Sequence, residues 1–259
     1  MLSHYKELFE GNPFSLKIVE DDWKTLKLLE KINCPSTLLY YGKWIGDSDK
    51  ISPPTRHILE EMFLKASISG DVSLRPYWYA KTNRNDLPLK LSKSYVCVQC
   101  TTPNSSTPMQ NKCWSTNRME KVIKELRKNY EVVQLGAYNE PLLQNVRDGR
   151  SLTIKESANL LAHAHFFVGQ VGFLMHLARA VNTRSVIIYG GREKAWQSGY
   201  PCNENIETHP ECSPCWQNNG CDFNRKCLSD ISAEMALNAV EKLIGRLGSE
   251  LELERVILN

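Results

Sequence analysis

One segment constrains the fold more than any other, FFVGQVGFLMHLARAVNTRSVIIYGG at residues 166–191. Its apolar runs predict a short buried strand over residues 166–169 and a β-branched strand over residues 185–189, with an amphipathic helix over residues 172–181 between them. Such a βαβ unit requires a parallel sheet that is covered on both faces. The helix then begins at the carboxyl end of a strand, where the free N–H groups of its first turn can bind an anion such as a pyrophosphate.

The same alternation of strands and helices extends from residue 94 onward. It predicts strands over residues 95–100 and 131–135, and helices over residues 116–128, after Asn139, over residues 154–164 and over residues 232–247. A series of this kind is typical of a doubly wound α/β sheet, which binds its ligands outside the carboxyl ends of the strands. The tail ELELERVILN fits either a last helical turn or an edge strand.

The N-terminal part predicts a shorter α/β region, with helices over residues 23–32 and after the Pro-Pro pair at 53 and 54, and a strand over residues 36–41. Residues 69–92 are rich in Gly, Pro and polar residues, which indicates a connection between domains. We therefore expect a shortened N-terminal α/β domain (1–80), a linker (81–93) and a Rossmann-like domain (94–259).

The composition is that of a soluble globular protein, with 259 residues of which 42% are hydrophobic and 24% charged. No apolar run approaches the roughly 20 residues of a membrane span, and the N-terminus lacks the apolar core of a signal peptide, so we expect no transmembrane segment and a cytoplasmic location. A net charge of +3, from 32 basic and 29 acidic residues, favours no nucleic-acid partner.

Five of the nine cysteines fall within a finger at residues 202–227, and four of them follow the pattern Cys212-x2-Cys215-x5-Cys221-x5-Cys227. Thiolates so close together, on a segment dense in Asn, Gly and Pro, can close around zinc or iron, which would replace the core that this segment cannot build. Two disulfides or unpaired thiols are the alternatives, and disulfides are disfavoured in a reducing compartment.

Polar residues follow the predicted strands. Thr101, Thr102 and Lys112 after the first strand suit phosphate oxygens, although a solvated loop with a surface lysine has the same composition. Glu140 follows the second strand, where it can accept hydrogen bonds from ribose hydroxyls or stabilise the N-terminus of a helix. His176 lies one turn into the central helix and is either a ligand-binding or a structural residue.

The ordered series CTT…KCW, QLGAYNE, VGQVGFLMHLARAV…SVIIYGG and CSPCW…C…C resembles the C-terminal half of family 9 glycosyltransferases, which include the heptosyltransferases of lipopolysaccharide assembly. The cysteine segment further resembles the variant of that family that modifies bacterial autotransporter proteins. The resemblance covers residues 74–247. It implies a bacterial GT-B enzyme, in which two Rossmann-like domains face a cleft and the C-terminal one binds a nucleotide diphosphate sugar.

The resemblance also implies roles for individual residues. Donor phosphates would be bound by Thr101, Thr102, Lys112 and the backbone of Gly172 and Phe173, the nucleoside by Glu140, and His176 would be the histidine of the family's helix motif. The implied reaction is an inverting transfer that needs no metal, in which a base deprotonates an acceptor hydroxyl and the diphosphate leaves.

Two departures from the family pattern concern the sugar and the base. Val171 stands where the family usually has an aspartate that touches the donor sugar, and Gln170 is the nearest polar replacement. The segment Ile45-Gly46-Asp47 resembles the family's acceptor loop only in its residue types. Asp47 is therefore a weak candidate for the catalytic base, which stays unidentified.

We therefore expect a glycosyltransferase that moves a heptose-like sugar to a glycan or protein hydroxyl, with homo-oligomerisation left open. A non-catalytic nucleotide-sugar-binding or assembly subunit with a metal finger is the main alternative. A metal-finger interaction module, with the Rossmann half as scaffold, is a third.

Overall fold

The computed structural model of the protein describes residues 5–14, 23–32, 43–44, 51–91, 94–100 and 109–258. Within these ranges the strands are β1 (Lys43–Trp44), β2 (Ile51–Ser52), β3 (Gly70–Ser73), β4 (Tyr95–Val98), β5 (Glu131–Gly136), β6 (Arg147–Arg150), β7 (Phe167–Gln170), β8 (Ser185–Gly190), β9 (Glu204–Glu207) and β10 (Arg255–Leu258). The helices are α1 (Trp23–Lys31), α2 (Ile58–Lys65), α3 (Thr116–Leu126), α4 (Ile154–His163), α5 (Phe173–Ala180), α6 (Ala195–Ser198), α7 (Lys226–Ser229) and α8 (Ala233–Gly245).

A parallel sheet with the order β6-β5-β4-β7-β8-β9 forms the centre of the described structure. The chain first moves outward from β4 to β6, then returns to β7 beside β4 and moves outward on the other side. The strand order therefore reverses between β4 and β7, and a crevice opens there outside the carboxyl ends of the strands. The predicted α/β class is confirmed.

Two apolar clusters cover the two faces of the sheet. Because successive side chains of a strand point to opposite faces, Val96 and Val98 pack with α3 and α8, whereas Tyr95 and Cys97 pack with α4 and α5. The four side chains of β4 are all fully buried. This continuous apolar run is what a central strand of a parallel sheet requires.

The predicted helix after Asn139 is wrong, because this segment forms a turn followed by the edge strand β6. The opposite edge strand, β9, lies in the cysteine segment and was not predicted. Both edge strands are polar, RDGR and ENIE, because an edge strand has one neighbour and is partly exposed. The predicted strand at residues 36–41 lies outside the described residues.

Helix α2 begins four residues after Pro54, with His57 as its N-cap. The imidazole Nδ1 accepts the N–H of Leu59 at 3.2 Å, and Nε2 contacts the carbonyl of Gly199 at 3.0 Å. These two partners select the neutral tautomer with the proton on Nε2, and burial lowers the pKa of His57 in agreement with that form. The N-terminal region is thereby fastened to the segment after α6.

The tail forms the strand β10, which pairs with β3 in an antiparallel ribbon. The predicted linker packs on the sheet, since Leu87, Leu89 and Leu91 contact the cluster around α4 and α5. The backbone of Asn83 also exchanges hydrogen bonds with the side-chain amide of Asn159. The division into domains stays a prediction.

In the part of the chain that the structure describes, every helix is too short or too polar to cross a bilayer.

Candidate functional site

A cavity of about 670 Å³ lies at the reversal point of the sheet. Its floor is formed where β4, β5 and β7 end, and α2 supplies an apolar wall with Ile58, Leu59 and Met62. Its lining includes most of the described residues that the sequence singled out: Lys112, Glu140, Gln170, Val171, Gly172, Phe173 and His176. Residues from separate strand ends therefore meet in one place, as a doubly wound sheet predicts.

The N-terminus of α5 opens into this cavity. Gly172 is the N-cap, and the first N–H groups of a helix have no acceptor within the helix. A Cβ at Gly172 would meet no atom within 4 Å, so a ligand can approach this backbone closely. Phe173, whose exposed fraction is 50%, stands beside the opening. The turn therefore offers backbone donors, the positive end of a helix dipole and room for an anion.

Glu140 brings a buried carboxylate to the same cavity, with an exposed fraction of 4%. Its Oε1 accepts the N–H of Ala137 at 3.1 Å, while Oε2 has no hydrogen-bond partner among the described residues. Burial raises the pKa of Glu140, and hydrogen bonds from Ala137 and Gln99 partly oppose that shift. Because Glu140 lines the cavity, its carboxylate is placed to accept a hydrogen bond there.

Two side chains fix the loop that carries Glu140. Arg150 donates to the carbonyl oxygens of Glu140 and Tyr138 at 2.5 and 3.3 Å, and Asp148 holds its guanidinium with two contacts of 2.8 Å. Gln134 donates to the carbonyl of Pro141 at 2.9 Å. The loop is therefore ordered before a ligand arrives.

Lys112 is not a surface lysine. Its Nζ lies 2.6 Å from Oε1 of Glu193, and the exposed fractions of the two side chains are 12% and 4%. Arg192 contacts the same oxygen at 3.1 Å. Burial alone would raise the pKa of Glu193, but the charges of Lys112 and Arg192 lower it to about 2. Two cations thus share one carboxylate, which leaves an excess positive charge beside the cavity.

His176 is half-buried, and its Nδ1 lies 2.6 Å from the hydroxyl of Tyr200. Burial, assisted by the charge of Lys112, lowers the pKa of His176 to about 4. The imidazole is therefore neutral at pH 7 and can offer a ligand a hydrogen bond but no positive charge.

Gln170 and Val171 occupy the carboxyl end of β7, and both are buried. Val171 belongs to the apolar cluster around α4 and α5, and its N–H bonds to the carbonyl of Ile188 at 3.3 Å. The valine thus presents an apolar surface to the cavity, and Gln170 is the polar side chain next to it. Thr101, Thr102 and the weak base candidate Asp47 lie outside the described residues.

The sequence reasoning missed Glu193, Arg192 and Tyr200. They follow β8, at the carboxyl edge of the sheet, so their position after a predicted strand was a usable signal. Their contacts with Lys112 and His176 depend on the order of the strands, which a single sequence does not reveal.

The four finger cysteines surround a second cavity of about 170 Å³, next to Arg192. All the cysteines that the structure describes are free thiols. The Sγ of Cys221 accepts the N–H of Arg225 at 3.2 Å. Burial raises the pKa of Cys215 and Cys227, and each is raised further by neighbouring finger cysteines. Of the two alternatives to a metal site, the described residues show unpaired thiols and no disulfide.

The chemistry of these thiols suits zinc or iron, because both metals bind four thiolates in a tetrahedron. Across the described ranges, however, no three His, Cys, Asp or Glu side chains are already arranged to hold a metal ion. The metal therefore stays a prediction that rests on the ligand type and on the shared cavity.

The order of the strands defines a Rossmann-like fold. A cavity with polar groups at the reversal point of the sheet is typical of such folds that bind nucleotides. The family model of glycosyltransferase family 9 (heptosyltransferase) matches residues 63–224, and the chain belongs to this family. No curated protein sequence is significantly similar to the chain.

Several solved structures share the fold. TibC from enterotoxigenic E. coli H10407, an iron-containing dodecameric glycosyltransferase, is 20% identical with a TM-score of 0.59, and the match covers 80% of this chain and 59% of TibC. TibC has also been solved with ADP-D-β-D-heptose. The family 9 glycosyl transferase from Veillonella parvula DSM 2008 is 13% identical with a TM-score of 0.53, covering 91% of this chain and 65% of that protein.

The ADP-heptose lipopolysaccharide heptosyltransferase II of E. coli is 18% identical with a TM-score of 0.50, and the match covers 65% of this chain and 54% of that enzyme. The chain therefore matches less than two thirds of the length of each of these proteins. At such identities the likeness concerns the fold, which is that of the GT-B-like heptosyltransferases.

Proposed function

We propose that the protein is an inverting glycosyltransferase that takes a heptose-like sugar from a nucleotide diphosphate sugar and transfers it to a hydroxyl of a glycan or protein. Membership of glycosyltransferase family 9 supports the reaction class. The complex of TibC with ADP-D-β-D-heptose supports an ADP-linked heptose as the first donor to test.

One observation carries this proposal: a carboxylate, an ammonium group and a helix N-terminus converge on one cavity at the reversal point of the sheet. The carboxylate of Glu140, which lines the cavity, would accept a hydrogen bond from a ribose hydroxyl. The N-terminus of α5 and Lys112 would bind the two phosphates. A nucleoside diphosphate satisfies all three groups at once.

These residues would act on the leaving group. As the acceptor hydroxyl attacks the anomeric carbon from the face opposite the diphosphate, negative charge develops on the departing phosphate oxygen. The positive charge beside the cavity and the N–H groups of Gly172 and Phe173 stabilise that charge without a metal. A neutral His176 contributes a hydrogen bond. The base that removes the acceptor proton is not assigned.

We further propose that the finger holds one zinc or iron ion through Cys212, Cys215, Cys221 and Cys227. Bound there, the metal would supply a structural cross-link. The ligand type favours either metal, and TibC is described as iron-containing. No step of the transfer involves this metal.

A non-catalytic nucleotide-sugar-binding subunit is the second candidate, and Val171 is the observation that favours it. Its buried isopropyl group cannot replace the hydrogen bonds that a carboxylate would make to a sugar. Transfer or hydrolysis of ADP-heptose separates the two candidates, because a binding subunit performs neither.

We place the reaction in the cytoplasm, since a reducing compartment keeps thiols such as those of the described cysteines free. A homo-oligomer is a further proposal, supported by the dodecameric state given for TibC. Light scattering on the purified protein tests it.

The decisive experiment is calorimetric titration with ADP and ADP-heptose, followed by a transfer assay. Lys112→Ala should weaken ADP binding by about 1.5 to 3 kcal/mol, the range for a hydrogen bond to a charged group. Glu140→Ala should weaken adenosine more than pyrophosphate. Lys128→Ala, at an exposed lysine, is the matched control. Unchanged affinity for ADP in both site variants would refute the proposed site.

A further inference from the structure

Arg192 lies between the cysteine finger (residues 202–227) and the main cavity, and 2% of it is exposed. On the finger side, its Nη2 donates to Oδ1 of Asn218 at 2.8 Å, and its guanidinium lies 4.8 Å from the ring centre of Trp216. Its carbonyl oxygen accepts the N–H of Trp216 at 2.9 Å. The finger therefore fixes both the backbone and the side chain of Arg192.

On the cavity side, Nη1 of Arg192 donates to Oε1 of Glu193 at 3.1 Å. The same oxygen lies 2.6 Å from Nζ of Lys112, and the other oxygen of Glu193 accepts the hydroxyl of Ser198 at 3.1 Å. A continuous series of buried contacts thus connects the finger to the ammonium group at the cavity.

A second route runs through the backbone beside Lys112. The side-chain amide of Asn111 donates to the carbonyl oxygens of Gln217 and Gly220, at 3.1 and 2.8 Å, and its Oδ1 accepts a hydrogen bond from Arg225. The N–H of Asn111 also bonds to the carbonyl of Asn218. The finger therefore holds the short helical turn at residues 110–112 as well.

The charges show what Arg192 contributes. With Arg192 in place, two cations surround one carboxylate, and the group keeps a net positive charge of one. Without Arg192, Glu193 neutralises Lys112 and the local excess charge disappears. Since a diphosphate is attracted by that excess, removal of Arg192 should weaken diphosphate binding although Arg192 does not line the main cavity.

We propose that Arg192 is a positioning residue, through which the cysteine finger holds Lys112 in the geometry that binds a diphosphate and keeps a net positive charge on the group of Lys112, Arg192 and Glu193. The inference rests on the proposed function, because it assumes that a nucleoside diphosphate is the ligand of the main cavity. It assigns the finger a role in ligand affinity in addition to its role in stability.

The test is calorimetric titration of the full-length protein with ADP and, separately, with adenosine. Arg192→Gln should raise the Kd for ADP about tenfold, the effect of losing one charge-assisted contribution, and change the Kd for adenosine less than about twofold. Arg192→Lys, which keeps the charge, should recover most of the loss. Arg184→Gln, at an equally buried arginine that bonds to Glu252, is the control and should leave both constants unchanged.

Two further variants separate positioning from folding. In a background that carries both Lys112→Ala and Glu193→Gln, the ammonium group and the carboxylate that links it to Arg192 are both gone, so Arg192→Gln should lower ADP affinity less than it does in the wild type. Asn218→Ala removes the hydrogen bond from the finger to the guanidinium without deleting the guanidinium, and should raise the Kd for ADP about threefold even if Arg192→Gln fails to fold.

The inference is overturned if Arg192→Gln or Asn218→Ala binds ADP as the wild type does, or if ADP and adenosine weaken equally. An Arg192→Gln loss that is as large in the Lys112→Ala, Glu193→Gln background as in the wild type also overturns it. If the wild type itself binds no ADP and no other nucleoside diphosphate, the proposed function fails first.

Discussion

The carboxylate of Glu140 rests against the Cα of Gly136, so that a Cβ at position 136 would come within 2.3 Å of Oε2. Gly136 also has a φ of +141°, which side chains rarely adopt. Gly136→Ala should therefore lower the free energy of unfolding by about 2 to 4 kcal/mol, through backbone strain and steric overlap together. Chemical denaturation measures this loss.

A double-mutant cycle separates the two contributions. In a Glu140→Ala background the overlap is gone, so Gly136→Ala should cost only the backbone strain, about 1 to 3 kcal/mol. An equal cost in both backgrounds would contradict the contact between Glu140 and Gly136.

The neutral state of His176 gives a prediction about pH. Its pKa in the folded protein, about 4, is below the ordinary value of 6.5, so the unfolded chain binds more protons between these values. The stability that depends on a neutral His176 is complete above pH 6.5 and is lost as the pH falls toward 4. The loss is up to about 3 kcal/mol, at about 1.4 kcal/mol per pKa unit.

His176→Gln should remove this pH dependence while keeping a polar group beside Tyr200. The difference in unfolding free energy between the wild type and the variant, measured from pH 7.5 to 4, checks it. NMR titration of the His176 ring should show a midpoint near 4, and a midpoint above 6 would contradict the burial of the neutral form.

Gln170 is the polar side chain nearest to Val171, where we propose that the donor sugar lies. Gln170→Ala should leave the affinity for ADP within about threefold, because the proposed diphosphate contacts are backbone N–H groups and Lys112. The affinity for ADP-heptose should fall about tenfold, or about 1.4 kcal/mol. Equal weakening of both ligands would place Gln170 at the phosphates or in the fold.

The four cysteines of the finger lead us to predict that the purified protein contains a bound metal ion. Protein prepared without chelators should carry about one zinc or iron ion per chain, which elemental analysis measures. Cys212→Ser combined with Cys215→Ser should lose it, because two of four thiolate ligands are removed. Cys97→Ser, at a buried cysteine of β4, is the control. Full metal retention in the double variant, or metal-free wild type, would refute the assignment.

The central sheet was predictable because its inner strands are apolar on both faces. Tyr95–Val98 and Ser185–Gly190 are continuous apolar runs, since covering helices exclude water from both sides. The edge strands at Arg147–Arg150 and Glu204–Glu207 carry polar side chains and lack that signal. The sequence pattern therefore identifies the inside of the sheet better than its borders.

The candidate site was likewise predictable only in part. The positions of Glu140 and the N-terminus of α5 at the cavity follow from the ends of strands, whereas the roles that the family resemblance implies for them stay predictions. The ion pair of Lys112 with Glu193 was not predictable, because the two residues follow β4 and β8, which are not adjacent in the sheet. Spacing along a chain carries no information about such a contact.

The ribbon of β3 and β10 has a consequence for how the molecule folds. It joins segments as distant as Asp71 and Arg255, which lie 184 positions apart and share a bidentate ion pair. Closing so long a loop costs chain entropy that local contacts cannot offset, so the ribbon forms after the sheet has brought its ends together. Helix α2 packs against β10 and forms the apolar wall of the main cavity, so we expect it to reach its final packing only when the ribbon has formed. We therefore expect the floor of the main cavity, at the ends of the strands, to form before its α2 wall is fixed.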